Sequence, residues 1–288
     1  MNWTGHVLAA PRTRLEDVLL RSELKRTGVY FLFGPDDEGS DLGKVYIGEG
    51  DELGKRLYQH NKDKDFWERF IAVTSKDLNL TKAHVRYLEG RLLAILAAAK
   101  KVKIANKDMP TFDLLPEADI SDMEAFLSEI QLVLPVVGAE FLKKPVESQS
   151  SKFAWVDNEL SLVPPADLVS ETFIVANSQK GIQARAREIG SEFVVLAGSI
   201  GSLTEKVSFH ERQKAAREDA FETGLCSKID TKTFQLNEDM AFTSPSAASV
   251  FLFGTARNGR TDWTIEGSGI MYGAWKDGKI ENKLSSAL

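Results

Sequence analysis

The chain has 288 residues, of which 43% are hydrophobic, and its 36 basic and 42 acidic side chains give a net charge of −6. This composition fits two globular domains, and the single cysteine, Cys226, excludes an internal disulfide bond. The longest apolar run, residues 92–99, is far shorter than the roughly 20 residues of a membrane-spanning helix, and the N-terminus lacks a signal-peptide pattern. We therefore expect a soluble, cytoplasmic protein.

Residues 1–142 predict a small α+β domain with a short antiparallel sheet flanked by helices. Residues 27–33 and 44–48 are β-branched and aromatic, and the Gly- and Asp-containing stretch between them predicts that they pair as a hairpin. The other elements predicted here are helices over residues 14–24, 52–60 (capped by Asp51), 82–101 (capped by Thr81) and 121–132 (opened by Ser121), and a strand over residues 69–73.

The remaining sequence predicts a linker and a second domain. Residues 143–169 carry serines and prolines with weak periodicity, which is typical of a linker. Residues 170–288 predict a second α+β domain. Its predicted elements are strands over residues 182–187 and 193–196 joined at Gly190, a helix over residues 209–222, a helix opened by Ser244 and Pro245, and a turn at Asn258-Gly259.

Basic residues are concentrated in one part of this acidic chain. From Gly54 to Lys107, thirteen basic residues stand against five acidic ones, a local charge of +8. A local basic surface can bind phosphate groups even when the whole molecule is acidic. Solvated helix faces would give the same pattern, so the charge alone leaves both interpretations open.

Six polar residues in and after the predicted hairpin form the candidate site. Arg56 and His60 are four residues apart, so they share one helix face. Arginine offers a permanently charged fork of donors to a phosphate, and histidine can transfer a proton near neutral pH. Glu89 lies at the edge of the apolar stripe of the long helix, where a carboxylate is costly unless it is paired or metal-bound. The six candidates are Tyr30, Tyr46, Arg56, His60, Glu89 and Asn106.

Each candidate also has an ordinary structural explanation. The two tyrosines could be half-buried strand aromatics, and Arg56 with His60 could be an exposed helical pair. Glu89 could form an ion pair with Arg86, three residues earlier, and Asn106 could cap the end of the long helix. The residue types alone therefore leave structural and functional roles open.

The order of these motifs resembles the GIY-YIG nuclease superfamily over about residues 25–112. Gly28-Val29-Tyr30 matches the first strand motif, with valine at its middle position, and Tyr46-Ile47-Gly48 matches the second. The hairpin loop, residues 31–45, is longer than the usual form, which we interpret as an insertion at the tip. The family's arginine, histidine or tyrosine, metal-binding glutamate and asparagine are matched in order by Arg56, His60, Glu89 and Asn106.

This resemblance implies a metal-dependent endonuclease, a hydrolase of phosphodiester bonds in nucleic acid, with DNA as the expected substrate and RNA still open. It implies that Arg56 stabilises the phosphate, that Glu89 holds Mg²⁺ or Mn²⁺, and that Asn106 holds the phosphate or its loop. It also implies that a phenol, of Tyr30 or Tyr46, or else the His60 imidazole, is the general base or orients the water. A catalytically inactive nucleic-acid-binding or protein-interaction module of the same fold is the alternative.

The second domain resembles a domain of unknown function that is often appended to GIY-YIG-type domains, over about residues 173–275. Its motifs are residues 193–199, residues 242–248, and Asn258-Gly259 with Trp263. The resemblance implies no chemistry for this domain. Basic residues allow a role in target recognition, although a solvated sheet face would explain them equally well. These residues are Arg185, Arg187, Arg257 and Arg260.

Overall fold

The computed structural model describes residues 3–35, 43–108, 115–142, 169–206, 208–209 and 211–286. They form two compact units of mixed helix and sheet, which confirms the predicted α+β class. The first unit contains the described residues up to 142 except Thr13–Glu16, and the second contains that short segment and the described residues from 169 onward. The predicted linker lies outside the described residues except for Val169, as do residues 36–42 at the tip of the long hairpin loop.

A five-stranded sheet organises the first unit. Its strands are β1 (Gly5–Pro11), β2 (Gly28–Gly34), β3 (Lys44–Gly50), β4 (Arg69–Ser75) and β5 (Lys103–Ile104). They lie in the order β1-β4-β2-β3-β5, antiparallel except for the parallel pair β3 and β5. The predicted hairpin and the predicted strand at 69–73 are thus confirmed. Strand β1 was missed because its sequence, GHVLAAP, lacks a strict alternation of apolar and polar residues.

The helices in this part of the chain are α1 (Leu15–Val18), α2 (Leu53–Asp63), α3 (Lys82–Ala99) and α4 (Glu117–Val133). The cap of α3 is as predicted, because the Thr81 hydroxyl accepts a hydrogen bond from the His84 amide. The single helix predicted over residues 14–24 is wrong: α1 is one turn long, and an extended Arg21 separates it from a short 3-10 helix, Ser22–Lys25. Helix α4 begins before Ser121, so that residue is not its cap.

The sheet of the first unit has two chemically different faces. Because side chains alternate along a strand, Val29, Phe31 and Ile47 lie on one face, where they join the hydrophobic core formed with α3 and α4. The opposite face carries Tyr30 and Tyr46. This second face, and not the core face, positions the candidate site.

The second unit contains an antiparallel sheet. Its strands are β6 (Phe173–Asn177), β7 (Ile182–Ile189), β8 (Glu192–Val195), β9 (Ile200–Ser202), β10 (Cys226–Lys228), β11 (Thr233–Leu236), β12 (Met240–Phe242) and β13 (Thr264–Ile265). They follow the order β10-β11-β9-β7-β6-β13, with β8 also on β7 and β12 on β8. The predicted turn between β7 and β8 is confirmed, since Gly190 takes a positive φ of 62° that favours glycine.

The helices of the second unit are α5 (Glu211–Glu222), α6 (Pro245–Phe253), α7 (Gly259–Asp262) and α8 (Tyr272–Ser285). Ser244 caps α6 as predicted, accepting a hydrogen bond from the Ala247 amide. Asn258-Gly259 is not a hairpin turn: the Asn258 side chain accepts from the Arg260 amide and opens α7. Among all the described residues, no helix has the length and apolar character needed to cross a membrane.

Candidate active site in the first unit

The two candidate tyrosines lie on the same face of the β2–β3 hairpin. Tyr30 pairs with Gly48 across the hairpin and Leu32 pairs with Tyr46, so the two phenols are diagonal neighbours on one face. Their ring centroids are 6.2 Å apart. A side chain at position 48 would overlap the Tyr30 hydroxyl, so the glycine of the second motif leaves the space that the Tyr30 phenol fills.

Tyr30 is fully buried and is paired with His60. The Tyr30 hydroxyl lies 2.7 Å from Nε2 of His60, and the His60 ring also contacts Tyr46 edge-on at 5.0 Å between centroids. Burial, with the charges of Lys64 and Arg56, lowers the pKa of His60 to about 4, so the imidazole is neutral at pH 7. Its Nδ1 is buried and has no hydrogen-bond partner within the described part of the chain.

A proton-relay geometry connects His60 to Tyr46 through Tyr30. Tyr30 is hydrogen-bonded both to His60 and to Tyr46. If His60 Nε2–H donates to Tyr30, the Tyr30 hydroxyl is free to donate to Tyr46. Burial raises the pKa of both phenols, most strongly for Tyr30, whereas the hydrogen bond from Tyr30 and the charge of Arg56 oppose the rise for Tyr46. Tyr46 is therefore the more readily ionised and the more accessible of the two.

Arg56 projects from α2 beside the end of β3. A β-carbon at Gly50 would collide with the Arg56 side chain, so the glycine lets this side chain pass close to the strand. The guanidinium is solvent-exposed, and its charge acts on Tyr30, Tyr46, His60 and Glu89. An exposed guanidinium next to these groups is available to an anionic ligand.

Glu89 on α3 is half-buried in an unfavourable electrostatic setting. Burial and the charge of Glu49 raise its pKa to about 7, while Lys82, Arg56 and Arg86 oppose the rise in that order. The influence of Arg86, the expected ion-pair partner, is thus smaller than that of Lys82. Lys82 itself is held by Glu49, with 2.5 Å between Nζ and Oε2. A cation is the ligand that would relieve such a carboxylate.

Asn106 supports the strand that carries Tyr46. Its side-chain nitrogen donates to the Ile47 carbonyl at 2.7 Å, and its side-chain oxygen accepts from the Ile47 amide at 3.0 Å. Both polar ends of this amide are therefore bound to the edge of β3, where they continue the short pairing of β3 with β5. Asn106 positions the site and is not directed at a substrate.

The structure thus brings five of the six predicted side chains together, and we call them the hairpin cluster: Tyr30, Tyr46, Arg56, His60 and Glu89. Sequence reasoning missed Glu49, Lys64 and Lys82, which set the charge around the cluster. Glu49 directly follows the Tyr46-Ile47-Gly48 motif, and this adjacency was the available signal.

Residues 174–276 match the model of a family described as a domain of unknown function, DUF4357. This match confirms the predicted identity of the second domain, whose DUF4357 region extends from β6 into α8. No GIY-YIG family model matches the chain, so that resemblance in the first unit depends on its motifs alone. No curated protein and no solved structure matches the chain.

The arginines predicted as recognition residues in the DUF4357 region are mostly paired. Arg185 lies 2.7 Å from Glu266, and Arg260 lies 3.0 Å from Asp277. Arg257 forms a two-pronged ion pair with Asp262, and Arg187 donates to the Thr172 hydroxyl at 3.0 Å. Three of these four positive charges are thus balanced by an adjacent carboxylate, which weakens their attraction for an anionic partner.

Proposed function

We propose that the first unit is a metal-dependent endonuclease that hydrolyses phosphodiester bonds in nucleic acid, with DNA as its expected substrate. The observation that carries this proposal is the hairpin cluster. Its members are up to 59 residues apart in the sequence, from Tyr30 to Glu89. They nevertheless gather around one end of β3 as a guanidinium, a carboxylate, two phenols and a neutral imidazole that is hydrogen-bonded to the Tyr30 phenol.

Arg56 is the phosphate-binding residue of this proposal. Its exposed guanidinium can bind two oxygens of the scissile phosphate and stabilise the charge that develops there during hydrolysis. The same positive charge opposes the rise in the pKa of Tyr46 that burial and the charge of Glu89 cause. Substrate binding and proton transfer would thus depend on a single side chain.

Tyr46 is the group that orients the attacking water and takes its proton. Water attacks the phosphorus and the bond from phosphorus to the leaving oxygen breaks. The water proton passes to the phenolate form of Tyr46, and the leaving oxygen takes a proton from solvent. Tyr30 and His60 are positioning residues, because the Tyr30 hydroxyl donates to Tyr46 and is itself held by His60. The hydrogen bond from Tyr30 therefore opposes the rise in the pKa of Tyr46 that burial causes.

Glu89 would hold the metal ion, and the residues present fit Mg²⁺ or Mn²⁺. Among the described residues, no group of three or more His, Cys, Asp or Glu side chains is arranged to hold a metal. Mg²⁺ needs only one or two carboxylates, because it keeps several of its waters. Burial and the charge of Glu49 raise the pKa of Glu89, and a bound hard cation would relieve such a carboxylate. When bound, the ion neutralises charge on the phosphoryl oxygens.

The proposal is tested by cleavage of labelled supercoiled, linear, branched and single-stranded DNA and of RNA, with Mg²⁺, Mn²⁺ or EDTA. Wild type should cut only with metal, and Glu89→Ala and Arg56→Ala should each lower the rate by more than about 100-fold. The matched control is Glu117→Gln, an exposed carboxylate on α4, which should cut like wild type.

Three results would count against the proposal. Metal-dependent cutting that persists in Glu89→Ala contradicts the role of Glu89. Tight binding of one substrate without cutting supports the inactive nucleic-acid-binding module instead. If the wild-type protein neither cuts nor binds any of these substrates, the whole proposal is contradicted.

A further inference from the structure

Three lysines lie on one side of Tyr46, and we call them the lysine flank: Lys44, Lys64 and Lys107. Lys64 follows α2, and its Nζ is 4.4 Å from the centre of the Tyr46 ring. Lys44 begins β3, and Lys107 follows Asn106, whose side chain is bonded to Ile47 of the same strand. The elements that build the hairpin cluster thus also hold the flank in place.

The charges of Lys44 and Lys107 both act on the ammonium group of Lys64. Partial burial and then the charges of Lys107 and Lys44 lower the pKa of Lys64, while the exposed Asp63 opposes this effect. Like charges at this range destabilise one another unless a counter-charge is bound. The flank therefore has the electrostatics of an anion-binding surface.

Other cations of the basic stretch are committed to carboxylates. Lys55 lies 2.8 Å from Glu52, and Arg91 lies 2.5 Å from Glu124. Lys82, on the opposite side of the hairpin cluster, is bound to Glu49. The local excess of +8 therefore does not spread evenly over this unit.

The charge around Tyr46 is consequently asymmetric. The side of Glu49 and Asp51 is acidic and already holds Lys82. The side of Lys64 is basic. Arg56, whose side chain passes close to Gly50, lies within electrostatic reach of His60. A polyanion bound at Arg56 would be repelled from the first side and attracted to the second.

We propose that the lysine flank binds the phosphates of the nucleic-acid strand on one side of the scissile bond, so that the strand leaves the hairpin cluster over Tyr46 and Lys64. This inference rests on the proposed nuclease function and adds the direction in which the bound strand leaves the site. The flank supplies affinity without reading sequence, because lysine contacts phosphate as a point charge.

The test is binding without cleavage. Fluorescence anisotropy of a labelled DNA duplex of about 20 base pairs is followed in EDTA between about 25 and 200 mM salt. If the triple variant Lys44→Gln/Lys64→Gln/Lys107→Gln removes three phosphate contacts, the slope of log K against log salt should become shallower by about 2 to 3. The charge-matched control Lys25→Gln/Lys76→Gln/Lys100→Gln changes exposed lysines of the same unit and should keep the wild-type slope.

A charge-retaining variant separates binding from folding. Lys44→Arg/Lys64→Arg/Lys107→Arg should restore the wild-type slope, whereas a merely structural role for the lysines would leave binding impaired. A glutamine variant that binds like the control overturns the inference, as does wild type that does not bind the duplex at about 25 mM salt.

The inference and the proposed function can fail separately. If binding depends on the lysine flank but no metal-dependent cleavage is seen, the phosphate-binding role of the flank is supported and the nuclease function is contradicted. If cleavage depends on Glu89 but binding is unchanged by the lysine-flank substitutions, the nuclease function is supported and the role of the flank is contradicted.

Discussion

The two units bury ionisable side chains in opposite ways. In the second unit, Glu188 is buried but accepts hydrogen bonds from the Tyr272 hydroxyl, at 2.7 Å, and from the buried Lys276. In the first unit, the largest charge effect on Glu89 comes from another carboxylate, Glu49. Glu188 is thus paired within the second unit. Glu89 has no ion-pair partner among the described residues, and the charges of Lys82, Arg56 and Arg86 offset its burial only in part.

This difference separates polar groups that are satisfied within the fold from polar groups that a ligand would satisfy. A buried charge that is paired and hydrogen-bonded stabilises the fold only because its partner is present. A carboxylate beside a carboxylate, or a lysine beside lysines, costs stability and is tolerated where a ligand supplies the missing charge. Arg217 follows the first pattern less completely: it is bonded to the Phe251 carbonyl and lies 3.5 Å from Glu205, yet its buried Nε has no hydrogen-bond partner among the described residues.

The largest expected effect on stability comes from breaking the buried ion pair between Lys276 and Glu188. Lys276→Met should destabilise the protein by about 3 to 5 kcal/mol, because it leaves the buried Glu188 carboxylate without its cation. Urea unfolding measures this loss. The double variant Glu188→Leu/Lys276→Met should recover most of the lost stability. As a control, Glu266→Ala breaks the exposed pair with Arg185 and should cost about 1 kcal/mol or less. If Lys276→Met lowers the free energy of unfolding by no more than Glu266→Ala does, the contrast drawn between the two units is contradicted.

The next effect concerns the space that Tyr30 occupies. Gly48→Ala should cost about 1 to 3 kcal/mol, because its β-carbon overlaps the hydroxyl of a fully buried side chain. The control is Gly278→Ala on α8, where a β-carbon meets no other atom within 4 Å and alanine favours the helix by about 0.5 to 1 kcal/mol. Equal unfolding midpoints for the two variants would contradict the packing of Tyr30 against Gly48.

A smaller effect is expected from the protonation of His60. Its pKa is lowered from 6.5 to about 4 in the folded protein, so the stability it contributes is present above pH 6.5 and is lost as the pH falls toward 4. Between pH 7.5 and 5, wild type should lose roughly 1 kcal/mol more than His60→Gln, a figure reduced for partial solvent screening. Parallel unfolding curves for both proteins at the two pH values would show that His60 is not desolvated.

The sequence predicted the elements whose signals are local. The hairpin, the Thr81 and Ser244 caps and the Gly190 turn depend on neighbouring residues, and the structure confirms them. Strand β1 was missed because it is defined by pairing with a strand more than sixty residues later. The Asn258-Gly259 pattern fits a turn and a helix start equally well, and only tertiary packing decides between them.

The sequence predicted which residues form the candidate site, but not the charges that surround them. The order of motifs named Tyr30, Arg56 and Glu89. The register of the hairpin in the structure shows that both phenols lie on one face. The roles of Glu49 and the lysine flank depend on distances between separate elements, which residue spacing does not give. The use of Asn106 as a strand-edge support, in place of a helix cap, likewise depends on the parallel pairing of β3 with β5.

The most direct test of the account is the stability of Glu89→Gln at pH 8 with and without Mg²⁺. The pKa of Glu89 is raised from 4.5 to about 7 in the folded protein, so its destabilising effect is absent below pH 4.5 and complete above pH 7. At pH 8 without metal, the variant should therefore be more stable than wild type by about 1 kcal/mol, after allowance for partial exposure. Mg²⁺ should then stabilise wild type and the Glu117→Gln control but not Glu89→Gln. A Glu89→Gln protein that is no more stable than wild type, and that Mg²⁺ stabilises equally, would contradict the assignment of Glu89 as a carboxylate held for a cation.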